Sequence, residues 1–400
     1  MGNGVVNDRA SALAPIEPKS LIGIVGNVAH QAPNWLFNFP AYALAIVEFD
    51  DQGCCQDRVQ MRGLAEKISS LRENARDAII IVFTHGWKHD ASSDDDNLKD
   101  FTHVLEQVVS YEGQQAAGQS TPQTPRPVLG IFAGWRGLSL YDNRFHILEN
   151  VTFWDRQQAG RRVSTGSVRE LFGYLHKYRK SRKDAAGGRP LLVIVGHSFG
   201  GMIVYSALEQ SLIEAASAPS SRVTPSFADL VLLVNPAIEA VRYLPVQALV
   251  EERQNAQGNV PQPPVFVCVT AKNDWATGLA FPLGNLYSRF TEKSKPGHER
   301  EAILRTIGHI SWMKTHDLAA DAGSGGATDY KLSPSVQGDK GATPFWVVQA
   351  TPDVINGHND IFNARFLTFI ADLVFTHADH TADRAANPEF HRNALTPPSS

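Results

Sequence analysis

The chain has 400 residues, 43% hydrophobic and 20% charged, with 37 basic against 41 acidic side chains and a formal net charge of −4. That length can bury one large core or two modest ones, and the interspersed charges leave no basic field for nucleic acid and no polybasic block for an anionic membrane. Three cysteines, Cys54, Cys55 and Cys268, are too few for a disulfide framework, so a reducing, cytoplasmic compartment is expected.

Residues 1–19, polar and small with Pro15 and Pro18, read as a flexible N-terminal arm. The apolar cluster Leu21 to Val25 is too short for a signal-peptide core. Trp35 to Phe49 is the longest apolar region, but Asn38, Pro40 and Glu48 interrupt it. It therefore does not read as a membrane span, although a peripheral membrane contact through it is an open expectation. Within it, Tyr42 to Phe49 reads as a strand, followed by the turn Asp50-Asp51-Gln52-Gly53.

A helix is expected over Asp57 to Arg76. Next comes a buried strand, Ala78 to Thr84, ending at His85-Gly86-Trp87. Asn97 to Tyr111 has helical spacing, with Leu98, Phe101, Leu105 and Val108 on one face, and Gln114 to Pro127 reads as a connector. Val128 to Ala133 is the next strand and Val168 to Lys180 the next helix. Leu191 to Val195 is an apolar strand leading through Gly196-His197-Ser198-Phe199-Gly200-Gly201 into a helix-like stretch, Met202 to Leu208.

Two more apolar runs, Asp229 to Asn235 and Val265 to Thr270, flank a helix over Ala237 to Gln254. Ala319 to Thr343 is Gly-, Ala- and Ser-rich and reads as a flexible insert. Trp346 to Ala350 is the last strand and Ile361 to Phe375 the last helix, and residues 378–400 read as a loose tail. Strand–helix alternation at this spacing predicts an α/β fold: a mostly parallel, doubly wound sheet with helices on both faces. Residues 20–377 form one domain in this reading, with 275–343 as a small lid-like insertion.

Ser198 lies between glycines two positions before and after it, at a strand-to-helix turn, which is the nucleophile-elbow pattern. Side chains at those flanking positions would clash in so tight a turn. The helix behind it aims its N-terminus at a developing oxyanion. A serine hydroxyl needs a base, and the base needs a carboxylate to set its tautomer. In a doubly wound sheet such groups gather at the carboxyl ends of strands.

His358 follows the last strand by a short loop and precedes the last helix, which favours it over His309 and His316, before which no strand is read. Asp274 follows the strand Val265 to Thr270, and Glu239, past the preceding strand, is the alternative acid. Two backbone N–H groups would complete an oxyanion hole, one from Phe199 and one from Trp87, with Gly86 allowing the bend. His85 and His89 are four apart, but Gly86 stands where a metalloprotease helix would carry Glu, so no metal and no cofactor is expected.

Together these residues resemble the α/β-hydrolase superfamily over about residues 40–376. The match lies in the elbow Gly196 to Gly200, the loop His85 to Trp87, and the nucleophile–acid–base order Ser198, Asp274, His358. Val47-Glu48-Phe49-Asp50-Asp51-Gln52-Gly53, His85 to Ala91, Gly134 to Gly137 and Thr152 to Arg156 resemble a loosely annotated bacterial and fungal group of esterase-like serine hydrolases.

The resemblance implies carboxylic-ester hydrolysis through an acyl-enzyme, of esterase or lipase type, on a small-molecule or lipid-like ester. The alternatives are an acyltransferase or thioesterase with the same triad, or a hydrolase-fold binding protein without catalysis. Apolar residues beside the site, Trp135, Trp275, Phe281 and Leu283, are candidates for an acyl pocket. Oligomeric state is not legible in the chain.

Overall fold

The computed structural model describes residues 35–86, 89, 91, 94–118, 124–135, 158–185, 188–255, 260–280, 297–321, 329–335 and 343–386. The expected arm 1–19, Trp87, Phe281, Leu283 and the end of the tail lie outside the described residues. Among the described residues there are ten strands: β1 (Leu36–Asn38), β2 (Tyr42–Phe49), β3 (Ile79–Thr84), β4 (Val128–Trp135), β5 (Leu191–His197), β6 (Leu230–Val234), β7 (Phe266–Ala271), β8 (His316–Ala320), β9 (Tyr330–Pro334) and β10 (Phe345–Ala350). The helices are α1 (Arg58–Glu73), α2 (Asp96–Ala117), α3 (Ser167–Lys183), α4 (Phe199–Ala216), α5 (Leu244–Asn255), α6 (His298–Leu304) and α7 (Ala364–Ala386).

The strands form one sheet in the order β1-β2-β4-β3-β5-β6-β7-β10-β8-β9. Every pairing from β2 through to β8 is parallel; only the outermost pairs, β1 with β2 and β8 with β9, are antiparallel. This is the expected α/β architecture. A parallel sheet needs both faces covered, and the alternation along each strand shows how that is met. Ile79, Ile81 and Phe83 of β3 point into a core with Leu98, Phe101 and Leu105 of α2 and Phe366 and Phe369 of α7. Ile80 and Val82 point into the opposite core, with Met61 and Leu64 of α1, Leu171 and Phe172 of α3, and Met202 of α4. Helix α4 is buried along most of its length, so the element that follows Ser198 is clamped by packing.

Several boundaries move for identifiable reasons. Helix α2 continues past Tyr111 into the expected connector, because Gln114 to Ala117 are good helix formers and the stop comes at Gly118, whose N–H bonds back to the Gln114 carbonyl. The single helix expected over Ala237 to Gln254 is a 3₁₀ turn, Ala240–Tyr243, followed by α5. Pro245 sits in the first turn of α5, where no intrahelical N–H is needed.

The lid-like insertion is corrected in its described part. Residues expected as a loose insert form the β8–β9 hairpin, which extends the sheet beyond β10. These edge strands were not foreseen because they are short and polar, with Lys331 and Pro334 on the outermost one, as edges that resist further pairing are. β8 begins at His316 itself. Helix α7 runs on to Ala386, past the expected start of the tail at 378.

The apolar residues Tyr42 to Val47 are buried within the sheet. Among the described residues, no helix is long and apolar enough to cross a membrane.

Candidate active site

Central strand β5 ends at His197, and Ser198 turns the chain directly into α4. Ser198 has φ 56° and ψ −120°, a left-handed conformation that costs about 1–3 kcal/mol for a non-glycine residue. Packing and hydrogen bonds hold it there. Its N–H donates to the Val234 carbonyl at 3.0 Å, and its carbonyl accepts from Ala237 and Met202 at 3.0 and 3.2 Å. The glycine two residues on is required by close approach: a Cβ at Gly200 would lie 2.1 Å from the Thr84 carbonyl oxygen. A Cβ at Gly86 would lie 2.9 Å from the Ser198 Cβ, so the loop after β3 passes against the serine.

The Ser198 hydroxyl donates to His358 Nε2 at 2.8 Å. On the other side of the ring, His358 Nδ1–H donates to the Asp274 carboxylate, 3.0 Å from each oxygen. Three side chains expected from the ends of three separate strands therefore meet. Asp274 also accepts from the backbone N–H of Ala276 and Thr277 at 3.0 and 3.2 Å and from the Thr277 hydroxyl. Its side chain is fully buried, while that of His358 is 21% exposed. Burial alone would push the Asp274 carboxyl up, yet the hydrogen bond and charge of His358, with the Thr277 donors, hold it below its ordinary value. The acid is ionised at neutral pH, as an imidazole-orienting carboxylate must be.

Glu239, the alternative acid, takes a different partner: Arg161 Nη2 donates to its Oε1 at 2.9 Å. It stands beside the 3₁₀ turn Ala240–Tyr243, bridged to Thr306, and it is Asp274 that holds His358.

The loop that carries His358 is fixed by residues the sequence did not single out. Asn235, fully buried at the end of β6, donates from Nδ2 to the Gly357 and His358 carbonyls at 3.1 and 2.8 Å and accepts from the Ala271 N–H at 2.9 Å. His197 Nε2–H donates to the same His358 carbonyl at 2.9 Å. Burial pushes the His197 imidazole down to about 3, so it is a neutral, fixed donor at pH 7. Asn273 joins the acid loop to the base loop, accepting from the Gly357 N–H at 2.9 Å and donating to Asn356 at 2.9 Å. The signal available for Asn235 was a lone Asn at a strand end before Pro236, which sequence alone does not separate from a turn residue.

Phe199, one expected oxyanion donor, is the first residue of α4; Trp87, the other, lies outside the described residues. His85 is buried, its Nδ1 is 2.8 Å from the Gly86 carbonyl, and its Nε2 accepts from the Trp135 N–H at 3.1 Å. Trp135 was expected to line a substrate pocket and is corrected: its indole N–H donates to the His85 carbonyl at 2.9 Å, and it is 3% exposed. Its ring is spent on holding the loop. Trp275, by contrast, is 74% exposed beside Asp274.

No protein-family model matches this chain, and no curated protein does. Among solved structures, it is similar to the phospholipase PlaB from Legionella pneumophila, with 10% identity and a TM-score of 0.29. The likeness covers 77% of this chain and 64% of that one, so this chain spans less than two thirds of the PlaB structure.

Proposed function

We propose that this protein is a serine hydrolase of the α/β-hydrolase superfamily that cleaves carboxylic esters through an acyl-enzyme. The observation that carries the proposal is the unbroken path from the Ser198 hydroxyl to His358 Nε2 at 2.8 Å and from His358 Nδ1 to Asp274 at 3.0 Å, with the serine held at a left-handed turn. A neutral His358 takes the hydroxyl proton as Ser198 Oγ bonds to the ester carbonyl carbon. Asp274 stabilises the imidazolium that results, and the N–H groups of Phe199 and Trp87 hold the oxyanion. The carbonyl re-forms, the carbon–oxygen bond to the alcohol breaks, and the alcohol leaves with the proton from His358. Water then repeats the sequence on the acyl-serine and restores the enzyme.

The substrate class is an uncharged or lipid-like ester. Trp275, bare to solvent at 74% exposure next to the acid, supports an apolar approach to the site. The domain in this proposal spans residues 20–377.

The test is labelling by a fluorophosphonate, which phosphonylates an activated serine. Wild type labels, and Ser198→Ala and His358→Ala do not. A panel of p-nitrophenyl esters of rising chain length then ranks acyl preference. Labelling that persists in Ser198→Ala, or ester hydrolysis indifferent to that change, removes the assignment.

A further inference from the structure

Behind the Asp274 carboxylate lies a second imidazole that the proposed chemistry does not consume. His309 ends the 3₁₀ turn Ile307–His309, and its Nε2 is 3.1 Å from Thr277 Oγ1. That same hydroxyl reaches Asp274 Oδ2. A threonine hydroxyl has one proton and two lone pairs, so it cannot donate to both neighbours. Asp274 is ionised and can only accept. The hydroxyl proton therefore belongs to the carboxylate, and His309 must present an N–H to the oxygen.

The ring is placed for this. A Cβ on Gly278 would lie 3.2 Å from His309 Cε1, so the π turn Ala276–Ala280 packs against the imidazole edge. The charged groups that face it are Asp274 and Arg305, whose Nη1 donates to the His309 carbonyl at 3.3 Å. Burial, with Arg305 assisting and Asp274 opposing, pushes the His309 imidazole below its ordinary value. It is a neutral donor at pH 7, with its proton on Nε2.

We propose that His309 is a positioning residue: by donating to Thr277 Oγ1 it directs the threonine proton onto Asp274 and so fixes the carboxylate that orients His358. The role rests on the assignment of Ser198, His358 and Asp274 as the reacting set. With the wrong ring tautomer, or no ring, the hydroxyl is free to turn away, and Asp274 Oδ2 keeps only the bond to His358. A carboxylate stripped of a donor attracts the imidazolium more strongly, so the His358 pKa rises while its orientation loosens.

The experiment compares Thr277→Val, His309→Leu, His309→Gln and the double variant Thr277→Val/His309→Leu. Two readouts are taken. One is the acid limb of kcat/KM for a p-nitrophenyl ester, which reports the free-enzyme base. The other is the ¹⁵N titration of His358, identified by its absence in His358→Ala, which needs no turnover.

Thr277→Val is expected to move both midpoints up by about 0.5–1 pH unit, from the loss of one hydrogen bond to a buried carboxylate, and to lower kcat about tenfold. His309→Leu moves them the same way by less. His309→Gln, whose amide N–H falls close to the position of Nε2, restores wild-type values. The double variant matches Thr277→Val alone, because His309 acts only through Thr277. Equal effects of His309→Leu with and without Thr277, or a His309→Gln that behaves as His309→Leu, overturn the proposal. An unmoved His358 titration in Thr277→Val does so as well. Failure of the catalytic assignment is seen separately, as hydrolysis that survives Ser198→Ala, and it leaves the His358 titration to decide the hydrogen-bond chain.

Discussion

Replacing Asn235 by alanine would strike the fold and the site together. Asn235 is fully buried, with φ 45°, and its side chain makes three hydrogen bonds, one from the Ala271 N–H and two to the Gly357 and His358 carbonyls. Alanine keeps none of them. The His358 carbonyl retains His197, but the buried Ala271 N–H is left without its acceptor, at about 1–3 kcal/mol. The lost donors to the two carbonyls add about 1 kcal/mol more, and alanine is less tolerant than asparagine of a left-handed backbone. The expected loss is therefore about 2–4 kcal/mol of stability, read as a lower urea midpoint at unchanged slope. Freed of Asn235, the His358 loop drifts from the serine. Because a misplacement of about 1 Å can cost on the order of a hundredfold in rate, fluorophosphonate labelling is expected to slow about ten- to a hundredfold at a temperature where the variant is still folded. Asn235→Asp is the sharper control: it can accept from Ala271 but sets a carboxylate against two carbonyls, and should be at least as damaging. An Asn235→Asp protein with wild-type melting and labelling would refute the reasoning.

Gly200→Ala drives a methyl to 2.1 Å from the Thr84 carbonyl oxygen, a backbone atom that cannot swing aside. It should cost more than about 3 kcal/mol by strain, measured by thermal melting, whereas an alanine that melts like wild type would contradict the elbow packing. Stability should also fall on acidification through His197. Its folded imidazole is pushed down to about 3 against about 6.5 unfolded, so between those values the unfolded chain binds the extra proton. Unfolding is then favoured as pH drops, by up to about 1.4 kcal/mol per pH unit from this group. His197→Gln, which keeps a donor toward the His358 carbonyl, should flatten that slope in urea titrations between pH 6.5 and 4; an unchanged slope counts against a neutral buried His197. Just before the amino end of the central strand β6, Asp229 is buried and paired with Arg179 at 2.9 Å and with Lys183. Arg179→Met should cost about 3–5 kcal/mol by leaving much of that charge uncompensated, and a loss below about 1 kcal/mol in chemical denaturation would show that Lys183 suffices.

Much of the α/β framework was legible in the chain. The central strands are continuous apolar runs, because a parallel strand covered on both faces has no solvent side to mark with polar residues, and β3 through β7 fall within a residue or two of expectation. The ends of the sheet were not legible. β1 is only three residues long, and the β8–β9 hairpin is short and polar and joins the sheet by pairing with β10, about thirty residues further on. Trp135 shows the same limit for a side chain: an aromatic residue beside a loop suggests a pocket wall, and only its hydrogen bond to the His85 carbonyl reveals a structural post.

Ser198, Asp274 and His358 could be nominated from local pattern alone, because each needs only a strand end and a short loop, and strand ends are written in consecutive residues. That these three meet within hydrogen-bond reach, that Asp274 and not Glu239 receives the imidazole, and that Asn235, His197 and His309 pack around them is decided by contacts between segments dozens of residues apart. A buried asparagine or histidine carries no periodicity of its own. Its role exists only once the folded sheet brings a partner to within about 3 Å.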